Sequence, residues 1–254
     1  MKYPSRKIKK TNLTDATTDI TNDASTRRDH IMNDPAFART RENMSEFGAC
    51  GIAVKAIRLG FNDLLPDNSD LYFTARLMKL VKEVNRRDFE GLRGKRSIRF
   101  SANRIFLQTL RFKVVYGIIS VIESGFRCSH PVSRTEATLA LTDLAIKPVC
   151  CPMGATHFRI QHHLSIISDY MYAEDSGRYE PLSPNNGLST SAFSEYTPVN
   201  VSLTEVIRAA FPADTLLTDA ASVIQAIGIV FFVKSAGDVY LAFSGCSMIV
   251  YDVF

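Results

Sequence analysis

The sequence lacks a long apolar run, a cysteine framework and tryptophan. No segment approaches the roughly 18–20 apolar residues that a membrane-spanning helix needs, because the longest runs, around 114–122 and 226–233, are only strand-length. The five cysteines are an odd number without framework spacing, which argues against a disulfide scaffold and indicates reduced thiols. The first residues are charged and polar where a signal peptide is apolar. We therefore expect no membrane partner, and a protein that is cytoplasmic or released without an N-terminal signal peptide.

Recognised catalytic motifs are also missing. Serine, histidine and aspartate occur, but not in a GxSxG elbow. Residues 91–97, GLRGKRS, lack the spacing of a phosphate-binding loop. We therefore predict a non-enzymatic protein without a cofactor. An enzyme stays a third hypothesis, because active sites assemble from residues that are distant in sequence.

Zinc-ligand residue types cluster between positions 150 and 163: Cys150, Cys151, His157, His162 and His163. Two observations argue against a metal site. Adjacent cysteine side chains tend to diverge. In an extended strand, His157 and His163 share one face, whereas His162 lies on the other. We expect these residues to be ordinary strand residues beside a proline turn.

Charge divides the chain into a basic first half and an acidic second half. Hydrophobic residues make up 46% of the sequence, enough for a sizeable core, while the formal net charge is +4. Residues 1–46 carry +2, residues 47–113 carry +8 and residues 114–254 carry −6. The basic part can meet nucleic acid, or it can meet the acidic part of another copy.

The first half shows helical patterns after a polar arm. Residues 1–33 hold few large apolar side chains and cannot order themselves by burial alone. Asn33-Asp34-Pro35 is typical of a helix start, and we predict helices over residues 34–47, ended by Gly48, and over residues 49–65, ended by Pro66. A third helix follows Asp70, with apolar residues at helical spacing: Phe73, Leu77, Leu80, Val81 and Val84.

The second half shows strand patterns. Predicted strands cover residues 113–122, 135–141, 156–169, 199–203, 222–233, 239–243 and 247–254. Glu174-Asp175-Ser176-Gly177 predicts a hairpin turn between two tyrosine-bearing strands. Residues 181–195 read as a loop, and residues 204–210 as a helical turn. These patterns predict an α+β chain, with an arm (1–33), a basic helical region (34–99) and an antiparallel β-sandwich of jelly-roll or immunoglobulin type (100–254).

Four segments carry a family resemblance: NDPAFARTRENMSEFG at 33–48, GKRS at 94–97, PMGATHFRI at 152–160 and IGIVFF at 227–232. In these segments the chain resembles an uncharacterised group of hypothetical Bacteroidota proteins. The resemblance spans most of the chain after the arm, and its motifs look structural. It implies a bacterial source and a whole-chain module, and no activity is carried over.

A dense basic segment is the strongest candidate for an interaction site. Eight basic side chains lie within 21 positions: Lys79, Lys82, Arg86, Arg87, Arg93, Lys95, Arg96 and Arg99. Lys79, Lys82 and Arg86 share a helix face opposite the apolar stripe. The same spacing is typical of an ordinary solvated helix face. Neither aromatic interleaving nor a recognised DNA- or RNA-binding signature accompanies it.

Two functional hypotheses are favoured over an enzyme. The first is a structural protein that self-assembles head to tail, through its arm and β-sandwich, into a fibre, tube or shell. A terminal strand of that apolar character has to be buried, either in the sheet of its own chain, which we expect, or against a neighbouring copy, which would support assembly. The alternative is a nucleic-acid-binding accessory protein that uses the 79–99 segment.

Overall fold

A computed structural model describes residues 26–113, 118–122, 125–235, 237, 239–242 and 247–254. A helical region comes first and antiparallel sheets follow, which confirms the predicted α+β fold with a β-sandwich. A short 3-10 turn, Pro35–Phe37, joins the first two helices. The helices are α1 (26–33), α2 (Ala38–Gly60), α3 (Leu65–Asn68), α4 (Phe73–Arg86), α5 (Arg104–Gln108) and α6 (Ile118–Val121). None of the described helices is long and apolar enough to cross a membrane.

The strands form two facing sheets and a separate hairpin. They are β1 (Phe126–Ser129), β2 (Glu136–Leu144), β3 (His157–Ser168), β4 (Tyr170–Ala173), β5 (Arg178–Pro181), β6 (Ser189–Phe193), β7 (Thr197–Pro198), β8 (Leu203–Ala210), β9 (Ala221–Lys234), β10 (Tyr240–Ala242) and β11 (Ser247–Val253). The smaller sheet has the order β1-β2-β8. In the larger sheet, β3 pairs with β9 at the centre. β6 and β7 follow the free side of β3, whereas β10 and β11 follow the free side of β9. β4 and β5 pair only with each other among the named strands.

Buried apolar residues on both faces of the larger sheet make the described structure three layers deep. Between the sheets, Leu139 packs with Phe158, Ile160, Ile229 and Phe231. On the opposite face of the larger sheet lies a core formed with the helices, whose fully buried members include Ile57, Leu77, Val81 and Ile167. β3 is therefore buried on both faces over most of its length. The alternating faces predicted for β3 are correct, but neither one faces solvent along that stretch.

The helical layer lies close against the larger sheet at Gly60. A Cβ atom at this position would lie 2.0 Å from the hydroxyl oxygen of Ser165 on β3. The absence of a side chain at the end of α2 thus lets the helix rest directly on the sheet.

The helix boundaries differ from the prediction at Gly48 and Pro66. α2 continues through Gly48, because its buried residues recur at helical spacing on both sides of it, as Glu46, Ala49 and Ala53 show. The second predicted helix is the remainder of α2, which ends at Gly60, and Pro66 lies in the first turn of α3, where proline is tolerated. The third predicted helix is confirmed as α4, and the Asp70 carboxylate accepts the Tyr72 N–H at 2.9 Å.

Most predicted strands are confirmed. β2, β3, β9, β10 and β11 lie where the patterns place them, and the 174–177 turn joins β4 to β5. The terminal strand β11 pairs with β9 of its own sheet, and Phe254 after it is buried. The apolar C-terminus therefore completes the sheet of its own chain.

Four assignments in the second half are wrong. Residues 204–210 belong to strand β8, because Leu203, Ile207 and Ala209 point inward at alternate positions. The supposed loop 181–195 contains β6, whose small polar residues disguise a strand that pairs with β3. The 199–203 strand is displaced to β7 and the start of β8. Part of the predicted 113–122 strand is helical as α6, and residues 114–117 lie outside the described residues.

Candidate interaction sites on the helical layer

The eight basic residues do not form one continuous patch. Four of them surround a cavity of about 210 Å³ between α2, α4 and the loop that follows α4. This Glu46 cavity, as we call it, is lined by Glu42, Asn43, Glu46, Lys82, Arg86, Arg93 and Arg96. The loop brings Arg93 and Arg96 beside α2, which sequence spacing alone does not show.

Glu46 is the buried centre of this arrangement, only 3% exposed. Its carboxylate accepts the Lys82 ammonium at 2.6 Å and the backbone N–H of Gly94 at 3.0 Å. The Arg96 Nε atom lies 3.8 Å from it. Burial acts to raise the pKa of Glu46, but the bonds from Lys82 and Gly94 and the charges of Lys82 and Arg96 outweigh it, so the pKa is lowered. The carboxylate therefore stays ionised and holds α2, α4 and the loop together.

The loop after α4 is shaped by Asp88. Its carboxylate accepts the N–H groups of Gly91 at 2.9 Å and Ser97 at 2.7 Å, and it also accepts the Ser97 hydroxyl. Burial opposes ionisation, yet these bonds dominate and lower the pKa of Asp88 to about 2. Gly94, with φ of 83°, turns the loop towards α2, where its carbonyl accepts the Ser45 hydroxyl at 2.7 Å. The GKRS segment at 94–97 thus attaches the loop to α2 through hydrogen bonds of Gly94.

The remaining basic residues are distributed around the helical layer. Lys79 is exposed beside a groove between α4 and α5. The Arg87 guanidinium lies 4.8 Å from the centroid of the Phe106 ring. The Lys95 ammonium binds Glu174 at 2.6 Å, and Arg99 lies 3.9 Å from Glu90. The side chains of Lys79, Arg87 and Arg93 make neither a hydrogen bond nor an ion pair to any part of the chain that the structure describes. Arg86 reaches only Glu83, at 4.0 Å.

The zinc-ligand residue types are not brought together. His162 lies between the sheets, bonded to the Ile207 carbonyl, whereas His163 faces the helices and packs against Phe61. Cys150 ends a 3-10 turn that Cys151 follows, and His157 contacts Tyr240. Within the described ranges, no three His, Cys, Asp or Glu side chains are placed to hold a metal ion.

An exposed apolar stripe runs along α2 on the side opposite its buried face. Met44, Phe47, Ile52 and Leu59 are between 46% and 62% exposed. Gly48 and Gly51 lie in the middle of the stripe, and a Cβ atom at either glycine would meet nothing within 4 Å. We name this surface the α2 stripe and define it by Met44, Phe47, Gly48, Gly51, Ile52, Lys55 and Leu59. The sequence signal for it was present but was interpreted as a helix end at Gly48.

A groove of about 420 Å³ borders the α2 stripe. Its walls come from α2 and α4 and include Gly51, Val54, Arg58, Thr74 and Met78. Positions 47, 51, 54 and 58 follow one another at spacings of about one helical turn, so Phe47 and the groove lie on the same side of α2.

No protein-family model, curated protein or solved structure matches this chain.

Proposed function

We propose that this chain is a structural subunit that self-associates, and that two copies pair through the α2 stripe. The observation that carries the proposal is the stripe itself, in which large apolar side chains flank two glycines, and a Cβ atom added at either one would meet no described residue within 4 Å. Contiguous exposed apolar surface on a folded domain is typical of an interaction site.

The two glycines support a close contact with another copy. Glycine inside a helix is less favourable than alanine by about 1 kcal/mol. Gly60 offsets this cost by admitting β3, but Gly48 and Gly51 face open space within the described structure. If a second helix packs on α2 at Gly48 and Gly51, these glycines allow its close approach, just as Gly60 allows the close approach of β3.

The stripe is self-complementary for an antiparallel pair. A two-fold axis between positions 48 and 51 places Gly48 of one copy at the level of Gly51 of the other, and Phe47 at the level of Ile52. This rotation keeps each side chain on the same lateral side of the helix pair. Phe47, 57% exposed, then faces the groove beside Gly51 and Val54 of the second copy. Such an isologous contact forms the same interactions twice.

Growth beyond a dimer needs a second contact, for which the charge division is suited. Residues 47–113 carry +8 and residues 114–254 carry −6. Exposed carboxylates in the second half of the chain include Asp175, Asp214 and Asp219. A head-to-tail contact between these halves is weakened by salt, because the Debye length falls to about 10 Å at 0.1 M.

Light scattering on a size-exclusion column tests the pairing. We expect the wild type to give a dimer mass at low protein concentration, with larger species only at low salt. Phe47→Ser removes the side chain that fills the groove, and we expect at least about tenfold weaker association. Gly51→Arg adds charge to the stripe next to Lys55 and Arg58, while arginine favours the helix more than glycine does.

The matched control is Ile105→Ser on α5, which removes another exposed apolar side chain, 64% exposed, outside the stripe. We expect it to leave the dimer intact. A wild-type chain that stays monomeric at high concentration contradicts the proposal. Equal masses for Phe47→Ser, Gly51→Arg and the wild type contradict it as well.

Nucleic-acid binding is a second candidate, and one surface favours it. At the end of the larger sheet, the Arg159 guanidinium lies 4.7 Å from the Phe193 ring and 4.8 Å from the Tyr196 ring. The Tyr196 and Tyr240 rings stack with their centroids 3.9 Å apart. Aromatic side chains beside cations are typical of surfaces on which bases stack. This function predicts that the wild type retains an oligonucleotide and releases it as salt rises.

A further inference from the structure

We infer that the Glu46 cavity binds a tetrahedral dianion of the phosphate class, either the free ion or the phosphate group of a small monoester. The inference does not depend on self-association, because the cavity lies on the inner side of α2, away from the α2 stripe.

The charges around the cavity favour an anion. Four cationic side chains and two carboxylates line it, which leaves a surplus of two positive charges. Glu46 is occupied by Lys82, and Lys82 also donates to the side-chain oxygen of Asn85 at 2.8 Å. The surplus therefore resides on the three arginines. Guanidinium groups bind phosphate through paired, charge-assisted hydrogen bonds.

One buried donor beside the cavity has no acceptor among the described residues. The Nε atom of Arg96 is inaccessible to solvent and has no hydrogen bond to any described residue. Its nearest carboxylate oxygen, on Glu46, lies at 3.8 Å, too far for a hydrogen bond. A buried N–H without an acceptor is costly. Because this atom is closed to solvent, an ion in the cavity meets the exposed part of the Arg96 side chain, which is 23% accessible, and not Nε itself.

Two further guanidinium groups are available to such an ion. Arg93 has no partner among the described residues, and Arg86 only approaches Glu83. Both stand on the cavity wall, one from the loop and one from the end of α4. Asn43 adds an amide from α2. The ligand thus meets donors from three segments that Glu46 already fixes in place.

The size of the cavity selects a small ligand. A volume of about 210 Å³ admits a tetrahedral ion with some water, since one water occupies about 30 Å³ of liquid. A terminal monoester phosphate enters with two charges. The phosphodiester of a polymer carries one charge and two bulky substituents, and it fits less well.

Calorimetric titration with inorganic phosphate tests the site, with chloride at matched ionic strength as the blank. Glycerol 3-phosphate forms a second arm that separates the free ion from a monoester. We expect the wild type to bind at least one of the two. Arg93→Gln and Arg86→Gln each remove one guanidinium and should weaken binding by about tenfold. Lys79→Gln, on the same helix but outside the cavity, should bind as the wild type does.

Thermal unfolding of each variant without ligand shows that it is folded. Wild-type heats no larger than those of chloride overturn the inference. So does an equal loss in Lys79→Gln and the two arginine variants, which indicates a general charge effect. A monomeric wild type that still binds phosphate would contradict the proposed function and leave this site intact.

Discussion

Glu46→Gln is expected to lower the free energy of unfolding by about 3 kcal/mol, because it breaks a buried ion pair by removing one partner. The carboxylate is 3% exposed and bonds Lys82 at 2.6 Å. Glutamine has nearly the same shape, so the loss reports charge and not volume. Lys82 keeps its charge without a compensating carboxylate, and the N–H of Gly94 competes for the one remaining side-chain oxygen. Urea unfolding followed by circular dichroism measures the effect.

Two further variants make this prediction specific. Glu83→Gln alters an exposed carboxylate that lies 4.0 Å from Arg86, and we expect less than about 0.5 kcal/mol. Lys82→Met in the Glu46→Gln background removes the uncompensated charge and should restore part of the stability. If Glu46→Gln and Glu83→Gln lower the free energy of unfolding by the same small amount, the Glu46 ion pair does not stabilise the helical layer.

Acidification from about pH 7 to about pH 5 is expected to remove about 4 kcal/mol of stability, about 2 from each of two buried histidines. Burial lowers the pKa of His162 to about 4 and that of His163 to about 4. The Nε2 atom of His162 lies 2.8 Å from the Gln225 amide nitrogen, which donates to it, and its Nδ1–H donates to the Ile207 carbonyl, so the ring is neutral.

The direction follows from proton binding. In the unfolded chain the histidine pKa is near 6.5, so below that pH the unfolded state binds protons that the folded state excludes. Stability is complete above about pH 6.5, falls as the pH drops towards about 4, and loses nothing further from these groups below it. Asp88 affects stability in a lower pH range than the histidines. Its ionised carboxylate stabilises the fold, and this contribution is lost only as the pH falls below the ordinary pKa of an aspartate.

Urea unfolding at the two pH values measures this loss. His162→Gln and His163→Gln should each reduce the pH dependence by about half, whatever they do to stability at neutral pH. His130→Gln, an exposed histidine, serves as the control. A wild-type stability that is constant between the two pH values contradicts the neutral, buried state of both rings.

Local patterns predicted the β part of the fold better than the helix boundaries. β9 and β11 were recognisable because each is a run of apolar residues bounded by turn residues. β8 was missed because Glu205 and Ala209 occupy inward positions where large apolar residues normally mark a strand. The helix end predicted at Gly48 was wrong, because glycine ends a helix only where the buried face of the helix also ends. The buried face of α2 continues to Gly60.

The sites were predicted only in part, for a similar reason. The sequence showed the basic side chains but not the carboxylate that pairs with them, since Glu46 lies 36 positions before Lys82. The contacts of Gly94 with α2, and the walls of the Glu46 cavity, are formed by segments that are distant in sequence. The α2 stripe was visible in the spacing of Met44, Ile52 and Leu59. Its meaning became clear only when the opposite face was found to be the buried one.

Disulfide cross-linking at Gly51→Cys tests the central claim, the pairing of two copies through α2, most directly. An antiparallel pair centred between positions 48 and 51 brings the two introduced thiols within the Cα separation of about 4.4–6.8 Å that a disulfide needs. We expect rapid oxidation to a covalent dimer, and a slower reaction in Ile105→Cys and in the wild type, whose own thiols give the background. A Gly51→Cys protein that forms dimers no faster than Ile105→Cys would contradict the account.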